Sequence, residues 1–162
     1  MPLVMLLKGF YTQVLQFCLT RTPEKVTSIG FSAFENCIGL TSIKIPELVT
    51  YIGQKAFKNC TGLISVTIPK DVTSIWTSAF EKCTGLTSIT IPTGITNMGS
   101  GVFSSCTGLT SINILEGVTN ISASTFYGCT GLISIIIPNT VTNIGSHAFS
   151  GCTTLTSIIS VY

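Results

Sequence analysis

The sequence predicts a repeat solenoid, in which the chain winds into stacked coils and each coil adds a strand to a parallel β-sheet. Three observations predict this fold. A cysteine recurs every 23 residues, at Cys37, Cys60, Cys83, Cys106, Cys129 and Cys152. A phenylalanine recurs with the same period, at Phe34, Phe57, Phe80, Phe103, Phe126 and Phe149. A segment of the form Leu-x-x-Ile-x-Ile-Pro opens each period.

The first segment of each coil predicts a short strand. Cutting the chain before each leucine gives coils at 40–62, 63–85, 86–108, 109–131 and 132–154, with a further coil opening at Leu155. Within the segment, apolar and polar positions alternate and β-branched residues dominate, which is typical of a strand with one face inward. The proline is expected to end the strand because it lacks the N–H that a continuing ladder needs. Stacked strands of this kind lie about 4.8 Å apart.

The second and third segments supply the other sides of the coil. Val-Thr-x-Ile-Gly predicts a shorter extended stretch with inward Val and Ile, as at Val49 and Ile52, and at Val141 and Ile144. This stretch is followed by glycines, which we expect to let the backbone turn, at Gly30, Gly53, Gly99 and Gly145. Ala-Phe-x-x-Cys has inward residues spaced like a single helical turn. We expect its phenylalanines to stack as an internal aromatic spine.

The two ends of the chain break the pattern. Residues 1–16 are predicted to be a degenerate N-terminal coil or cap, and residues 17–162 a solenoid of about six coils. Lys8 interrupts the apolar N-terminus and no small-residue cleavage site follows it, which favours a cap over a signal peptide. Ser160 stands where an inward isoleucine is expected. We therefore expect an uncapped C-terminal end, which belongs either to a fragment or to a surface that another copy buries.

Composition excludes several classes of partner. Charged residues make up 9% of the 162 residues, against roughly 25% in ordinary soluble domains, and the mean hydropathy is +0.61. No apolar run reaches the ~20 residues of a bilayer span, so membrane insertion is not expected. The net charge of +2 comes without a basic cluster, so we expect no nucleic-acid binding.

Three segments carry a resemblance to a known family: LTSITIP at 86–92, VTNIG at 141–145 and AFSGC at 148–152. On these motifs the chain resembles the BspA-like leucine-rich repeat proteins. The resemblance implies a right-handed arc with a parallel β-sheet on the concave face, and short second strands and single helical turns on the other sides. It also implies a cell-surface or secreted protein that adheres to host matrix proteins or to other cells.

The cysteine column has three interpretations: a disulfide ladder, a soft-metal site, or buried free thiols. Equivalent side chains in stacked coils point in parallel, so their Cβ atoms lie about 5 Å apart, too far for an undistorted disulfide. No Cys-x-x-Cys pair and no matching histidine exist for zinc. We therefore expect six buried, reduced thiols and no disulfide, metal or cofactor.

No combination of residues predicts catalysis. His147 is the single histidine, has no acidic neighbour in sequence, and shares its repeat column with Ser, Lys and Gly, which predicts an exposed position. The acidic residues are scattered, and no serine lies in a nucleophile elbow. We predict that the protein is not an enzyme.

Outward positions of the first strands are the predicted ligand-binding surface. The candidates are Lys44, Ser65, Thr67, Ser88, Thr90, Ser111, Asn113 and Ile136. They form a hydroxyl-rich trough that becomes apolar toward the C-terminus. The alternative is a solvated sheet face whose Ser and Thr simply suit β geometry. An ice-binding hydroxyl array is disfavoured because the columns of outward residues are irregular.

Three aromatic residues interrupt their columns: Tyr51, Trp76 and Tyr127. They have two interpretations, local packing or contact with a partner. The predicted function is a non-catalytic adhesion or protein-interaction module that binds a protein, such as a host matrix or cell-surface protein, or a glycan. The alternative is a structural repeat protein that forms a homo-oligomer through its open C-terminal end. The sequons at Asn59 and Asn120 matter only in a eukaryotic secretory setting.

Overall fold

The computed structural model describes residues 25–161. The predicted cap at residues 1–16 and the beginning of the predicted solenoid, at 17–24, lie outside the described residues.

Strands of two lengths alternate along residues 25–161. The shorter strands fall in the Val-Thr-x-Ile segments: β1 (Ser28–Ile29), β3 (Tyr51–Ile52), β5 (Ser74–Ile75), β7 (Asn97–Met98), β9 (Asn120–Ile121) and β11 (Asn143–Ile144). The longer strands fall in the Leu-x-x-Ile-x-Ile segments: β2 (Ser42–Lys44), β4 (Ser65–Thr67), β6 (Ser88–Ile91), β8 (Ser111–Ile114), β10 (Ser134–Pro138) and β12 (Ser157–Val161). Every pairing is parallel, and partners differ by 23 positions, as Ser28 and Tyr51 do. The predicted solenoid is confirmed.

The longer strands form one side of the solenoid, which we call the strand face, and the shorter strands form the side sheet. On the strand face β2 pairs with β4, and β6, β8, β10 and β12 pair in sequence, but β4 and β6 do not pair. In the side sheet β1, β3, β5 and β7 pair in sequence and β9 pairs with β11, but β7 and β9 do not pair. Pro138 lies within β10 and is the register partner of Val161. β10 ends at this proline, in keeping with the expectation that proline ends the strand.

The glycines that follow the side sheet are required by close contact between coils. A Cβ added to Gly53 would lie 2.7 Å from the backbone of the preceding coil, and one added to Gly99 2.3 Å from it. Neither glycine has a positive φ, so the expectation that they let the backbone turn is not the reason for them. Glycine is needed because any Cβ would clash with the neighbouring backbone. Ser122 occupies this column in coil 109–131, and its hydroxyl donates to the Met98 carbonyl. In the coils with Gly99 and Gly145, the backbone N–H of that glycine donates the equivalent hydrogen bond to the preceding coil. The side sheet is interrupted at this serine.

The third segment forms consecutive turns instead of the expected single helical turn. Its N–H groups alternate between two acceptors. Cys83 donates to the Phe80 carbonyl of its own coil at 3.1 Å, whereas Phe80 donates to the Val102 carbonyl of the next coil at 2.9 Å. Two residues of this segment are left-handed in each coil, such as Ser78 (φ 58°) and Lys82 (φ 59°), and left-handed residues do not continue a right-handed helix. Residues 25–161 accordingly contain no helix.

The core is a set of stacked columns of Leu, Ile, Val, Phe and Cys. The phenylalanine rings stack as predicted from Phe34 to Phe149, with centroids 5.1–5.8 Å apart and planes within 20°. The prediction of inward burial fails in the last coil. Ile144 is in register with the fully buried Ile121, yet it is 49% exposed, because no described coil covers its outer side.

Candidate functional site

The predicted binding residues lie together on the strand face. Register pairing places Ser88 beside Ser111 and Thr90 beside Asn113, and it places Lys44 beside Thr67. Alternation along each strand turns these side chains outward while Val66, Ile89 and Ile112 point into the core. The side chains of the predicted set are exposed at Lys44, Ser65, Thr67, Ser88, Thr90, Ser111, Asn113 and Ile136.

A shallow groove crosses β4, β6 and β8 where the strand pairing is interrupted. Its volume is about 570 Å³. Six of the predicted residues line it: Ser65, Thr67, Ser88, Thr90, Ser111 and Asn113. Its apolar lining includes Val66, Ile68, Ile89, Pro92 and Leu115. The groove therefore offers hydroxyl and amide groups above an apolar base.

Two of the predicted residues lie on the strand face outside the groove. Lys44 lies on β2, and Ile136 lies on β10 beside Ile159. Ile136 and Ile159 are 43% and 49% exposed, so the face becomes apolar toward its C-terminal end, as the sequence indicated. Lys70 lines the groove and is exposed, but sequence reasoning missed it. It follows the proline of its coil, a corner position whose column also holds Glu47, Thr93 and Glu116, and no repeat signal marks it.

Of the three aromatic candidates, the structure brings two together. The rings of Tyr51 and Trp76 are 6.3 Å apart at 40°, on the side sheet of adjacent coils, and they are 36% and 52% exposed. Tyr127 is 47% exposed, but it follows Phe126 in the turns of the third segment, which form what we call the turn side of the coil. No ring among residues 25–161 stacks with it.

An exposed threonine precedes each side-sheet strand, and its hydroxyl commonly donates to the preceding coil, as Thr73 does to the Thr50 carbonyl at 3.2 Å.

The cysteine column is structural. From Cys60 onward, each thiol of the column donates to the phenylalanine carbonyl of the coil before it, as Cys83 does to Phe57 at 3.1 Å. Burial raises the pKa of Cys83, and likewise that of Cys129, to about 12, so both remain protonated at neutral pH. The prediction of six buried thiols holds for four. Cys37 and Cys152 are half-buried because they belong to the first and last coils of the described stack.

The structure also describes the surroundings of the predicted exposed histidine and of the two sequon asparagines. His147 is exposed, as predicted, in a left-handed position (φ 57°). The amide nitrogen of Asn59 donates to Asn36 at 2.8 Å, and that of Asn120 donates to Ser122 at 2.9 Å. In residues 25–161 no three His, Cys, Asp or Glu side chains are grouped as a metal site would require. The same part of the chain has no helix of the length and apolarity that crossing a bilayer requires.

Comparison with protein families assigns the repeat. The family described as BspA type leucine rich repeat region matches in six copies, at residues 9–133 and 119–160. The chain belongs to this BspA-type leucine-rich repeat family. Members of the family are generally protein-interaction or adhesion modules and typically non-enzymatic scaffolds. A comparison with curated proteins gives no match.

Solved structures of bacterial leucine-rich repeat proteins share this fold. A leucine-rich repeat protein from Eubacterium ventriosum has a TM-score of 0.70 and 27% identity over 74% of this chain and 32% of its own. One from Bacteroides ovatus has a TM-score of 0.59 and 31% identity over 83% of this chain and 41% of its own. The T. pallidum leucine-rich repeat protein TpLRR has a TM-score of 0.61 and 27% identity over 82% of this chain and 73% of its own. The chain thus spans about a third of the first of these proteins.

Proposed function

We propose that the protein is a non-catalytic adhesion or protein-interaction module that binds its partner through the groove of the strand face. The observation that carries the proposal is the groove itself. Six side chains with outward hydroxyl or amide groups line it above an apolar base, and the four on β6 and β8 are held in register by strand pairing. The family's general role as interaction modules supports it. The single titratable side chain in the lining is Lys70, and one cation does not make an acid–base pair.

The chemistry of the strand face suits an uncharged, extended partner surface. Hydroxyl and amide groups both donate and accept, so they match the backbone and polar side chains of a protein or the hydroxyls of a glycan. The exposed Ile136 and Ile159 extend the face with an apolar contact of the kind that the core of an interface needs. The partner that we propose is a host matrix or cell-surface protein, with a glycan as the other candidate, and the setting that we propose is the cell surface or the extracellular space.

Charge insertion into the groove tests the proposal. Ser88→Arg and Ser111→Arg place long cations at adjacent outward positions of β6 and β8. We expect them to abolish binding to the members of a panel of immobilised matrix proteins that the wild type retains. Thr119→Arg is the matched control, since Thr119 is exposed beside the side sheet. Groove variants that bind as the wild type does would contradict the proposal.

The outer side of the last described coil favours a second candidate function, self-association. In each of the five preceding coils, three turn-side N–H groups donate to the next coil, as Ser124, Phe126 and Gly128 do. The equivalent N–H groups of His147, Phe149 and Gly151 have no backbone acceptor among residues 25–161. Beside them the apolar side chains of Ile144 and Ile158 are exposed. An unpaired donor row next to an apolar surface is a template for another chain.

Sedimentation of the purified protein over a wide range of concentrations tests self-association. We expect dimers or larger assemblies that Ile144→Lys with Ile158→Lys dissociates, because the two cations would be buried in the contact. A wild-type protein that stays monomeric at the highest attainable concentration removes this candidate and leaves the groove proposal intact.

A further inference from the structure

Two exposed aromatic rings meet on the side sheet of adjacent coils, and a third exposed ring, Phe31, follows β1 in the first described coil. The rings of Tyr51 and Trp76 are in contact, with centroids 6.3 Å apart and planes tilted by 40°. Phe31 is 57% exposed, and the Lys55 ammonium lies 6.0 Å from the centre of its ring. We call Tyr51, Trp76, Phe31 and Lys55 the aromatic patch. It lies apart from the strand-face groove, whose lining comes from the longer strands and the corner after them.

Trp76 occupies a position that the fold reserves for the smallest residue. Its column holds glycine in four of the six coils, because a Cβ at Gly53 or Gly99 would lie 2.7 or 2.3 Å from the backbone of the preceding coil. Ser122, the other exception, gains a hydrogen bond to Met98. Trp76 gains little burial in return, since half of it is exposed. A residue that breaks a local rule without a structural gain indicates a function.

The polar atoms of the pair are available to a ligand. Among residues 25–161, neither the Tyr51 hydroxyl nor the Trp76 indole N–H has a hydrogen-bond partner. Register pairing continues the row from Tyr51 to Ser74 and then to Asn97, so hydroxyl and amide groups follow the rings at a spacing of about 4.8 Å. Ser74 is half-buried and Asn97 is exposed.

We propose that the aromatic patch is a second binding site, specific for a neutral pyranose oligosaccharide. A pyranose ring presents a face of C–H groups that packs on an aromatic ring, while its equatorial hydroxyls exchange hydrogen bonds with amide and hydroxyl side chains. The side-sheet register row of Tyr51, Ser74 and Asn97 carries no charge, and Lys55 is already placed over Phe31. The row itself is uncharged, which matches a neutral ligand.

The size of the patch favours a glycan over a protein. A stable protein interface buries about 800 Å² on each partner and uses roughly 20–30 residues a side. The patch offers three rings, and the positions next to them in register are polar. An oligosaccharide can use one or two stacked rings and a few hydrogen bonds, which is what Tyr51, Trp76, Ser74 and Asn97 supply.

Trp76 is also the probe for the test, because it is the single tryptophan of the chain. The intact protein is titrated with four neutral hexasaccharides: cellohexaose, mannohexaose, maltohexaose and N-acetylchitohexaose. At least one of them, at concentrations up to about 10 mM, is expected to give a saturable change of tryptophan fluorescence. Tyr51→Ser, which restores the residue type of Ser28 and Ser74 in that column, should weaken the binding at least about tenfold. Tyr127→Ser is the matched control and should leave it unchanged.

Trp76→Gly separates function from folding. It installs the consensus residue of the column, so its Tm should equal or exceed that of the wild type, while calorimetry should show no oligosaccharide binding. Ser88→Arg, in the groove, should still bind, which distinguishes this site from the proposed protein-binding groove. The proposal is overturned if none of the four sugars perturbs Trp76, or if Trp76→Gly binds as the wild type does. It is equally overturned if Trp76→Gly abolishes retention on matrix proteins and no sugar binds, since the patch would then be a protein contact.

Discussion

Raising the pH should unfold this protein through its cysteine column. Cys60, Cys83, Cys106 and Cys129 are fully buried, and burial raises the pKa of each thiol, to about 12 for Cys83 and Cys129. An unfolded thiol ionises with a pKa of about 8.5–9. The folded pKa is the higher one, so the stabilisation is fully present below the unfolded pKa. It is lost as the pH rises from about 8.5 towards 12.

The magnitude follows from proton linkage. At pH 10 the unfolded thiol is mostly ionised and the folded thiol is protonated. Moving from pH 8 to pH 10 therefore lowers the free energy of unfolding by about 1.5–2 kcal/mol for each thiol, and by about 6–8 kcal/mol for the four. That loss is comparable with the whole stability of a typical domain, about 5–15 kcal/mol.

The assay is denaturant unfolding at a series of pH values under reducing conditions. The control is the double variant Cys83→Ala with Cys106→Ala, which keeps two buried thiols and should lose about half as much, 3–4 kcal/mol, over the same interval. The comparison uses the change with pH, so any cost of the substitutions at pH 8 cancels. Equal losses in the wild type and the double variant would refute the reasoning, because thiol ionisation would then not control alkaline stability.

Further predictions concern single residues and are checked by denaturant unfolding unless stated otherwise. Phe80→Ala, between rings at 5.1 and 5.5 Å, should cost about 3–5 kcal/mol; a cost below about 1 kcal/mol would show that the column is not core. Lys82→Gly should stabilise by about 0.5–1 kcal/mol because Lys82 is left-handed (φ 59°), and a loss of stability would contradict this. Burial raises the pKa of Glu81, but hydrogen bonds from Lys58 and Ser78 outweigh it and lower the pKa. Stability should therefore fall by less than about 1 kcal/mol as the pH drops below about 4, and Glu81→Gln should remove that fall. Thiol reagent at neutral pH should label Cys152 before Cys83, because burial of Cys152 is partial, and equal rates would contradict the structure.

The repeat columns made the fold predictable from the sequence. A residue type that recurs every 23 positions occupies the same place in every coil. Burial of Cys83 or Phe80 could therefore be inferred because neighbouring columns hold Leu, Ile and Val. The outward positions of the strands followed from alternation, which is why Ser88, Thr90 and Asn113 were placed on one face correctly.

Features that depend on contact between coils could not be predicted in this way. The pattern Ala-Phe-x-x-Cys fits a helical turn as well as it fits turns that donate to the next coil, and a single sequence does not separate them. The requirement for glycine at Gly99 comes from a neighbouring backbone 23 residues away, which local propensity does not report. The meeting of Tyr51 and Trp76 needed both the register and the two side-chain directions, so their columns alone left packing and binding as open interpretations.

The three sides of the coil differ in how much they hold the stack together, and this difference explains where binding surfaces can arise. The turn side joins each of the first five described coils to the next through backbone N–H bonds, and the thiols of the cysteine column donate across the same side. These bonds hold the junction between β4 and β6, where Ser78, Phe80 and Lys82 donate at 2.8–3.0 Å although the strands do not pair. Since the stack does not depend on unbroken sheets, the strand face and the side sheet tolerate departures from the consensus. The groove and the aromatic patch, the two surfaces proposed to bind ligands, lie on those two sides.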